Sequence, residues 1–404
     1  MSPMTCTGQL PDTSLSEACP EKACGRDNEE PLSLYVHVPF CRRRCSYCDF
    51  FLVTRLDHID AFFKALAVET LAAAPLLRGR RVKSVHFGGG TPSLVPVRLL
   101  AGWLDLAASL CTFTSDVEIA LEANPEDFGG NFMAELQAAG INRLSLGVQS
   151  FLSRKLSALG RLHTAGEASV ITAEALNRFA AVSVDLICGV PGETLPEWSS
   201  DLQAALSLAV PHISVYMLSV EPKTLLQRSI AKGRVRVPDE TVQALMYAAA
   251  IDVLGGSGYR HYEVSNFALS GHDSRYNLAC WMREPYLGFG PSAHSFMRND
   301  GSERRWANAG TLLRYLDNPQ ECVAFEEILS EEDRFVEQVF LTLRINRGLD
   351  VEFLRKHNKL GLNLSTAAEE FLARGWIVIE NGQIFLTGKG FLFADHIAGE
   401  FISG

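Results

Sequence analysis

From Leu32 onward, short β-branched or apolar runs alternate with helix-length stretches, and this alternation constrains the fold more than any other feature of the chain. The runs are 34–38, 84–87, 117–121, 143–148, 182–187 and 213–218; the helix-like stretches between them are 57–77, 97–111, 132–139, 165–179 and 195–209. Strand, loop and helix repeated in this way imply parallel strands joined by crossover helices, an α/β class. Six such strands make either a doubly wound sheet or an incomplete (β/α) barrel. In both, functional residues are expected just after the C-terminal ends of the strands.

The alternation stops after about Pro222. Residues 223–320 read as mixed, with a helix near 238–254 and a Gly- and aromatic-rich stretch from 255 to 296. From Glu326 the chain looks helical (333–343, 349–354, 367–374), then gives two short strands, 377–380 and 383–386, around the turn Asn381-Gly382. Helices followed by a hairpin resemble a winged-helix module, here 321–404. Many such modules bind DNA. Residues 326–404, however, hold 8 Lys/Arg against 13 Asp/Glu, so phosphate contact is not expected and a structural or partner-docking role is. Residues 1–31 are rich in Ser, Thr, Pro and Glu and read as a loose, disordered tail; Cys6, Cys19 and Cys24 within it match no metal spacing.

The whole chain of 404 residues is globular in composition, 47% hydrophobic and 21% charged. Its net charge of −10 removes any general attraction for nucleic acid or anionic membrane. Ten cysteines is not disulfide density. No basic cluster followed by an apolar run opens the chain, and no stretch reaches the ~18 apolar residues of a spanning helix. A cytoplasmic location without a transmembrane segment is the expectation, and its thiols are then free, catalytic or metal-bound.

The densest chemistry lies in Cys41-Arg42-Arg43-Arg44-Cys45-Ser46-Tyr47-Cys48, which follows the strand Leu34-Tyr35-Val36-His37-Val38 through Pro39-Phe40. Three thiolates at spacings of four and three can wrap three corners of a [4Fe–4S] cube, with Cys41, Cys45 and Cys48 as ligands. The fourth iron is left open, and the amine and carboxylate of S-adenosylmethionine (SAM) suit it. Reduction through the cluster then cleaves the sulfonium, chemistry that belongs to the cofactor. The three arginines are expected to help keep the thiolates ionised. The competing reading is structural zinc, which usually takes four ligands; His58 is the nearest downstream Cys or His.

On this motif the chain resembles the radical SAM superfamily, and within it the oxygen-independent coproporphyrinogen III oxidase group and its HemW-type haem chaperones. The similarity runs from about Leu34 to the C-terminus. It implies a partial (β/α)6 barrel over 32–222, a tetrapyrrole-associated extension over 223–320 and the helical C-terminal module. Gly88-Gly89-Gly90-Thr91-Pro92, after the second strand, could by itself be a tight turn or a phosphate loop. It resembles the glycine motif that holds the methionyl end of SAM, a role carried to Gly89, Gly90 and Thr91. Single polar residues at the other strand ends are by themselves as readily structural as ligand-binding. The related oxidases place cofactor contacts at matching positions, and this implies SAM contacts for Tyr35, Tyr47, Glu122, Gln149, Arg161 and Asp185, with Arg161 able to pair with the SAM carboxylate.

The oxidases extend the cluster motif by a cysteine two positions after the third; here that position is Phe50, in Cys48-Asp49-Phe50. A CDF ending resembles the chaperones, as do Gly160-Arg161-Leu162-His163-Thr164, 261–267 and 286–295. The chaperones' HNxxYW signature, associated with haem binding, is Tyr276-Asn277-Leu278-Ala279-Cys280-Trp281 in this chain. Tyr276, Cys280 and the upstream His272 are the candidate haem ligands, set against ordinary core packing for Trp281, Tyr286 and Phe289. The expected function is that of a haem chaperone holding a [4Fe–4S] cluster, SAM and haem, with an electron donor and a haem-acceptor apoprotein as partners. The alternative is an oxygen-independent coproporphyrinogen III oxidase or another radical SAM enzyme acting on tetrapyrroles.

Overall fold

The computed structural model describes residues 30–299, 301–357 and 364–403. The expected tail, with Cys6, Cys19 and Cys24, lies outside them apart from Glu30 and Pro31. All six expected strands form: β1 (Leu32–Val38), β2 (Arg81–Gly89), β3 (Thr112–Ala123), β4 (Arg143–Gln149), β5 (Ala181–Cys188) and β6 (His212–Met217). They pair in sequence order and in parallel. The crossovers carry α1 (Ile59–Ala72), α2 (Ala74–Leu77), α3 (Val97–Leu110), α4 (Phe132–Ala138), α5 (Ser153–Leu159), α6 (Ala165–Arg178) and α7 (Leu195–Ser207).

Register explains which residues serve the core and which the interior. Leu34, Val85, Ile119, Leu144, Val182 and Ile213 lie on one face and are buried. The period-2 alternation then turns Tyr35, His86, Glu122, Ser145 and Asp185 to the other face. A sheet buried on both sides would ordinarily be apolar on both. One polar face across successive strands therefore marks a lined interior. Helix starts are written locally: Thr164 with Glu167 and Thr194 with Glu197 form capping boxes at α6 and α7.

The sheet does not stop at six strands. Its twelve-strand order is β12-β11-β10-β9-β1-β2-β3-β4-β5-β6-β8-β7. The added strands are β7 (Arg260–Glu263), β8 (Asn266–Ala268), β9 (Tyr286–Phe289), β10 (His294–Asn299), β11 (Ser302–Asn308) and β12 (Val323–Ile328). The six parallel strands thus remain an incomplete barrel, flanked by β9 beside β1 and β8 beside β6. The stretch read as mixed carries five of these strands, β7 to β11, alongside helices, and strands on both sides of residues 222 and 320 belong to the same sheet. Residue 326 is also strand rather than helix, because Arg304 and Arg305 on β11 ion-pair with Glu326 and Glu327.

Between these strands lie α8 (Leu225–Ala231), α9 (Glu240–Gly256), α10 (Arg275–Trp281) and α11 (Leu312–Asp317). The C-terminal part contains α12 (Glu331–Thr342), α13 (Val351–His357), α14 (Leu364–Ala373), α15 (Gly388–Phe391) and α16 (Ala394–Ser403). A separate small sheet joins β13 (Leu349–Asp350), β14 (Ile377–Glu380) and β15 (Gln383–Leu386), the last two forming the expected hairpin. Among the described residues no helix is long and apolar enough to cross a membrane.

Candidate functional site

The cysteine loop hangs from the C-terminal end of β1. Val53 N–H donates to Pro39 O at 2.7 Å and Cys41 N–H to Val53 O at 3.0 Å, so residues 41–52 form a closed excursion. The three arginines hold this excursion in place. Arg42 pairs with Asp127 at 3.0 Å, Arg43 donates to the carbonyls of Gly160 and Arg161, and Arg44 donates to those of Cys48, Phe50 and Leu52. Of the three, Arg44 also favours the ionised Cys48 thiol, but it does not set the outcome. Burial wins: it pushes the Cys41 thiol up to about 11, and it also raises Cys48 despite the nearby Arg44. The guanidinium that reaches a sulfur is Arg161, whose Nη1 lies 3.7 Å from Cys45 Sγ; Thr91 Oγ1 donates to Cys41 Sγ at 3.2 Å.

Cys41, Cys45 and Cys48 all line one cavity of about 450 Å³. That volume is in the usual range for a small-molecule site. Tyr47, Gly89, Gly90, Thr91, Glu122, Gln149, Arg161 and Asp185 line it too, so it gathers every residue expected at the cofactor except Tyr35. Tyr35 is one step removed. Its ring stacks on His86, whose Nε2 is 3.0 Å from Glu122 Oε1.

Glycine is required where β2 ends. A Cβ on Gly89, whose φ is +103°, would lie 2.5 Å from the His37 ring, and one on Gly90 would lie 2.8 Å from the Phe40 and Val38 carbonyls. These two positions let the β2 end press against the start of the cysteine loop. At the end of β4, Gln149 takes a φ of +68°, uncommon for a residue with a side chain and a mark of a constrained turn.

Arg161 is the electrostatic centre of the cavity. Its Nη2 donates to Gly147 O at 2.9 Å and to Asn124 Oδ1, it bonds the Tyr47 phenol, and its Nε is buried with no partner. A buried guanidinium with a spare donor fits an anionic ligand group. In the same cavity, Asp185 is held by Ser145 at 3.3 Å and by Ser214, and burial pushes its carboxyl up to about 6. A guanidinium and the carboxylates of Glu122 and Asp185 in one cavity suit a ligand carrying both charges. Sequence reasoning missed Asn124, Ser145 and Tyr216. Tyr216 faces open cavity space, yet surrounding protein desolvates its phenol and raises its pKa. The register now visible would have found Ser145, level with Glu122 on the next strand.

The donor chemistry fits the groups implied by the motif. Three thiols on one loop would hold the cube, and the adjoining Gly89, Gly90, Glu122, Arg161 and Asp185 would hold the nucleotide. The candidate haem ligands lie apart from this cavity, since none of the three lines it. Tyr276 and Cys280 sit one turn apart on α10 and hydrogen-bond each other. The Tyr276 ring stacks on His86 at 4.9 Å and on Tyr35 at 5.8 Å. Loss of hydration pushes Cys280 up to about 12. His272 lies before α10, its carbonyl accepting from Arg143. Phe289 is core, as the packing alternative had it. Phe50 stands at the cavity edge, 62% exposed.

Comparison with known proteins gives the same picture. The Radical SAM superfamily profile matches residues 35–205, and the HemN C-terminal domain matches 329–393. The chain is 36% identical over 375 residues to "Heme chaperone HemW" of Mycobacterium tuberculosis, covering 91% of this chain and 94% of that protein. It is 32% identical to the Bacillus subtilis protein of the same name, covering 92% and 99%. Among solved structures it is similar to coproporphyrinogen III oxidase (HemN) from Escherichia coli, with a TM-score of 0.78, 26% identity, and coverage of 93% of this chain and 91% of that one.

Proposed function

The chain belongs to the HemW family of the radical SAM superfamily, and from that premise we propose that it is a haem chaperone. It carries a [4Fe–4S] cluster on Cys41, Cys45 and Cys48, binds SAM in the adjoining cavity, and passes haem to an acceptor protein in the cytoplasm. The observation that carries this reading is the shared cavity, in which three thiols of one loop meet polar residues from the ends of successive strands. When bound, the cluster and nucleotide supply one-electron chemistry. The chain's own part is positional. Arg161 and Thr91 hold two of the sulfurs, Gly89 and Gly90 give the backbone a close approach, and the two carboxylates face the cavity.

The test is reconstitution of the full chain without oxygen, followed by titration with SAM and with haem. About four irons with matching sulfide per chain, saturable SAM binding and haem absorbance saturating near one per chain are expected. Zinc in place of iron, or no haem absorbance, refutes the reading. Tyr276→Ala, Cys280→Ala and His272→Ala locate the haem ligand; because Tyr276 and Cys280 bond each other, haem spectra unchanged in all three assign the ligand elsewhere.

A second reading is favoured by the cavity itself. A carrier of haem has no need for so complete a cofactor constellation, and an enzyme acting on a tetrapyrrole has. Anaerobic incubation with reductant, SAM and coproporphyrinogen III separates the two, since only the enzyme gives a decarboxylated product with 5′-deoxyadenosine.

A further inference from the structure

A fully buried lysine lies beside the cavity but outside it. Lys155 on α5 has no exposed side-chain surface. Its ammonium donates to Asp201 Oδ2 at 2.6 Å, to Ile187 O at 3.1 Å and to Glu193, and it sits 5.2 Å over the Trp198 ring. The two carboxylates are themselves occupied. Glu193 accepts from Val190 N–H at 2.9 Å; Asp201 accepts from Phe151 N–H at 2.6 Å and from Ser150 Oγ, which in turn accepts from Leu152 N–H at 3.0 Å. A buried ammonium is tolerated only when so fully paired, and removing one partner strands the others.

The hub joins four segments: α5, the turn 150–152 after β4, the turn after β5, and α7. Cavity residues lie at both ends of α5. Gln149, with its strained φ, immediately precedes the turn that Asp201 holds. Arg161 follows Gly160, the residue that caps α5, its N–H donating to Leu156 O at 2.8 Å. The same end of α5 braces the cysteine loop, since Arg43 donates to Gly160 and Arg161 carbonyls and Ser46 Oγ to Leu159 O at 3.4 Å. Apolar packing of Leu156 and Leu159 holds α5 against the core but does not fix the turn at 150–152. The other α5–α7 ion pair, Arg154 with Glu197, is a half-exposed fork that touches neither Glu193 nor Asp201.

We propose that Lys155, through Glu193 and Asp201, is a positioning group that sets Gln149 and Arg161 in the cavity. This rests on the reading that the cavity takes SAM beside the cluster. The hub acts by directed charge and hydrogen bonding, so packing substitutions in α5 of equal cost to stability do not reproduce its loss.

The test compares Lys155→Met, Leu156→Ala and Arg154→Ala in the reconstituted full chain. Three quantities are read: SAM affinity by calorimetry, the rate of cluster loss from its visible absorbance, and stability by urea unfolding. Lys155→Met is expected to weaken SAM binding and speed cluster loss by about 10–100-fold, as loss of a supporting group does at a metal site. Leu156→Ala, which leaves the hub intact, is expected to lower stability while moving both by less than about threefold, and Arg154→Ala to move neither. If Lys155→Met does not fold, Lys155→Met/Glu193→Gln removes one charge of each sign and is judged by the same criterion. Effects of Lys155→Met that match those of Leu156→Ala at equal loss of stability overturn the proposal. A wild-type chain that assembles no cluster or binds no SAM instead overturns the functional reading beneath it.

Discussion

Replacing Gly89 by alanine tests whether the end of β2 must touch the cysteine loop. Two costs combine. The φ of +103° lies beyond the left-handed region open to side-chain residues, and the new Cβ would meet three His37 ring atoms at 2.5 to 2.9 Å. Left-handed strain of about 1–2 kcal/mol and overpacking of about 1–3 kcal/mol give a loss of about 2–5 kcal/mol. His37 cannot swing away freely, since its ring spans Tyr35 Oη at 3.2 Å and Phe51 O at 3.0 Å. Phe51 belongs to the stretch that closes the cysteine loop, so the strain passes to the thiols. The control is Gly130→Ala, with φ +55° and no atom within 4 Å of its Cβ; left-handed strain alone costs about 1 kcal/mol there. Urea unfolding of both variants, with iron content after reconstitution, is the assay. A Gly89→Ala loss equal to that of Gly130→Ala, with full iron content, would show that the contact with His37 carries no weight.

Two further outcomes are expected. Asp185, raised to about 6 by burial, binds its proton more tightly folded than unfolded, where the ordinary value is about 3.9. Stability therefore falls as pH rises from about 4 to about 6, and Asp185→Asn reduces that slope without abolishing it, because burial also pushes the Glu263 carboxyl up to about 7 and its contribution overlaps the same range; an unchanged slope in the urea midpoints refutes the assignment. Arg161→Lys keeps the charge but loses the fork that joins Cys45, Gly147 and Asn124, so SAM affinity should fall about 10–100-fold; a Kd within about twofold of wild type refutes a role for the fork.

The chain's local signals were legible wherever a short-range rule governs them. The six parallel strands, the Asn381-Gly382 hairpin and the cysteine motif each depend on residues within a few positions of one another. Tyr47, Gly89, Gly90, Thr91, Glu122, Gln149, Arg161 and Asp185 were found through resemblance and strand ends, and they share one cavity. The strands β7 to β12 were not found: β7, β8 and β9 hold only three or four residues each, and β12 carries Glu326 and Glu327 in strand against arginines on β11. The scaffolding role of the arginine triplet was not legible, because adjacency in the chain says nothing of which carbonyls a guanidinium meets.

What the sequence determined by itself is thus the class of fold and the chemistry on offer: parallel strands from alternation, and three thiols on one loop from spacing. Only the tertiary structure decided which side chains share a space. It set Tyr35 behind His86, stacked Tyr276 on that same pair, and brought Lys155 to Glu193 and Asp201 across 38 and 46 residues of chain. Periodicity fixes the face a residue takes, but long-range partnership depends on register between strands and on burial, which no local window contains.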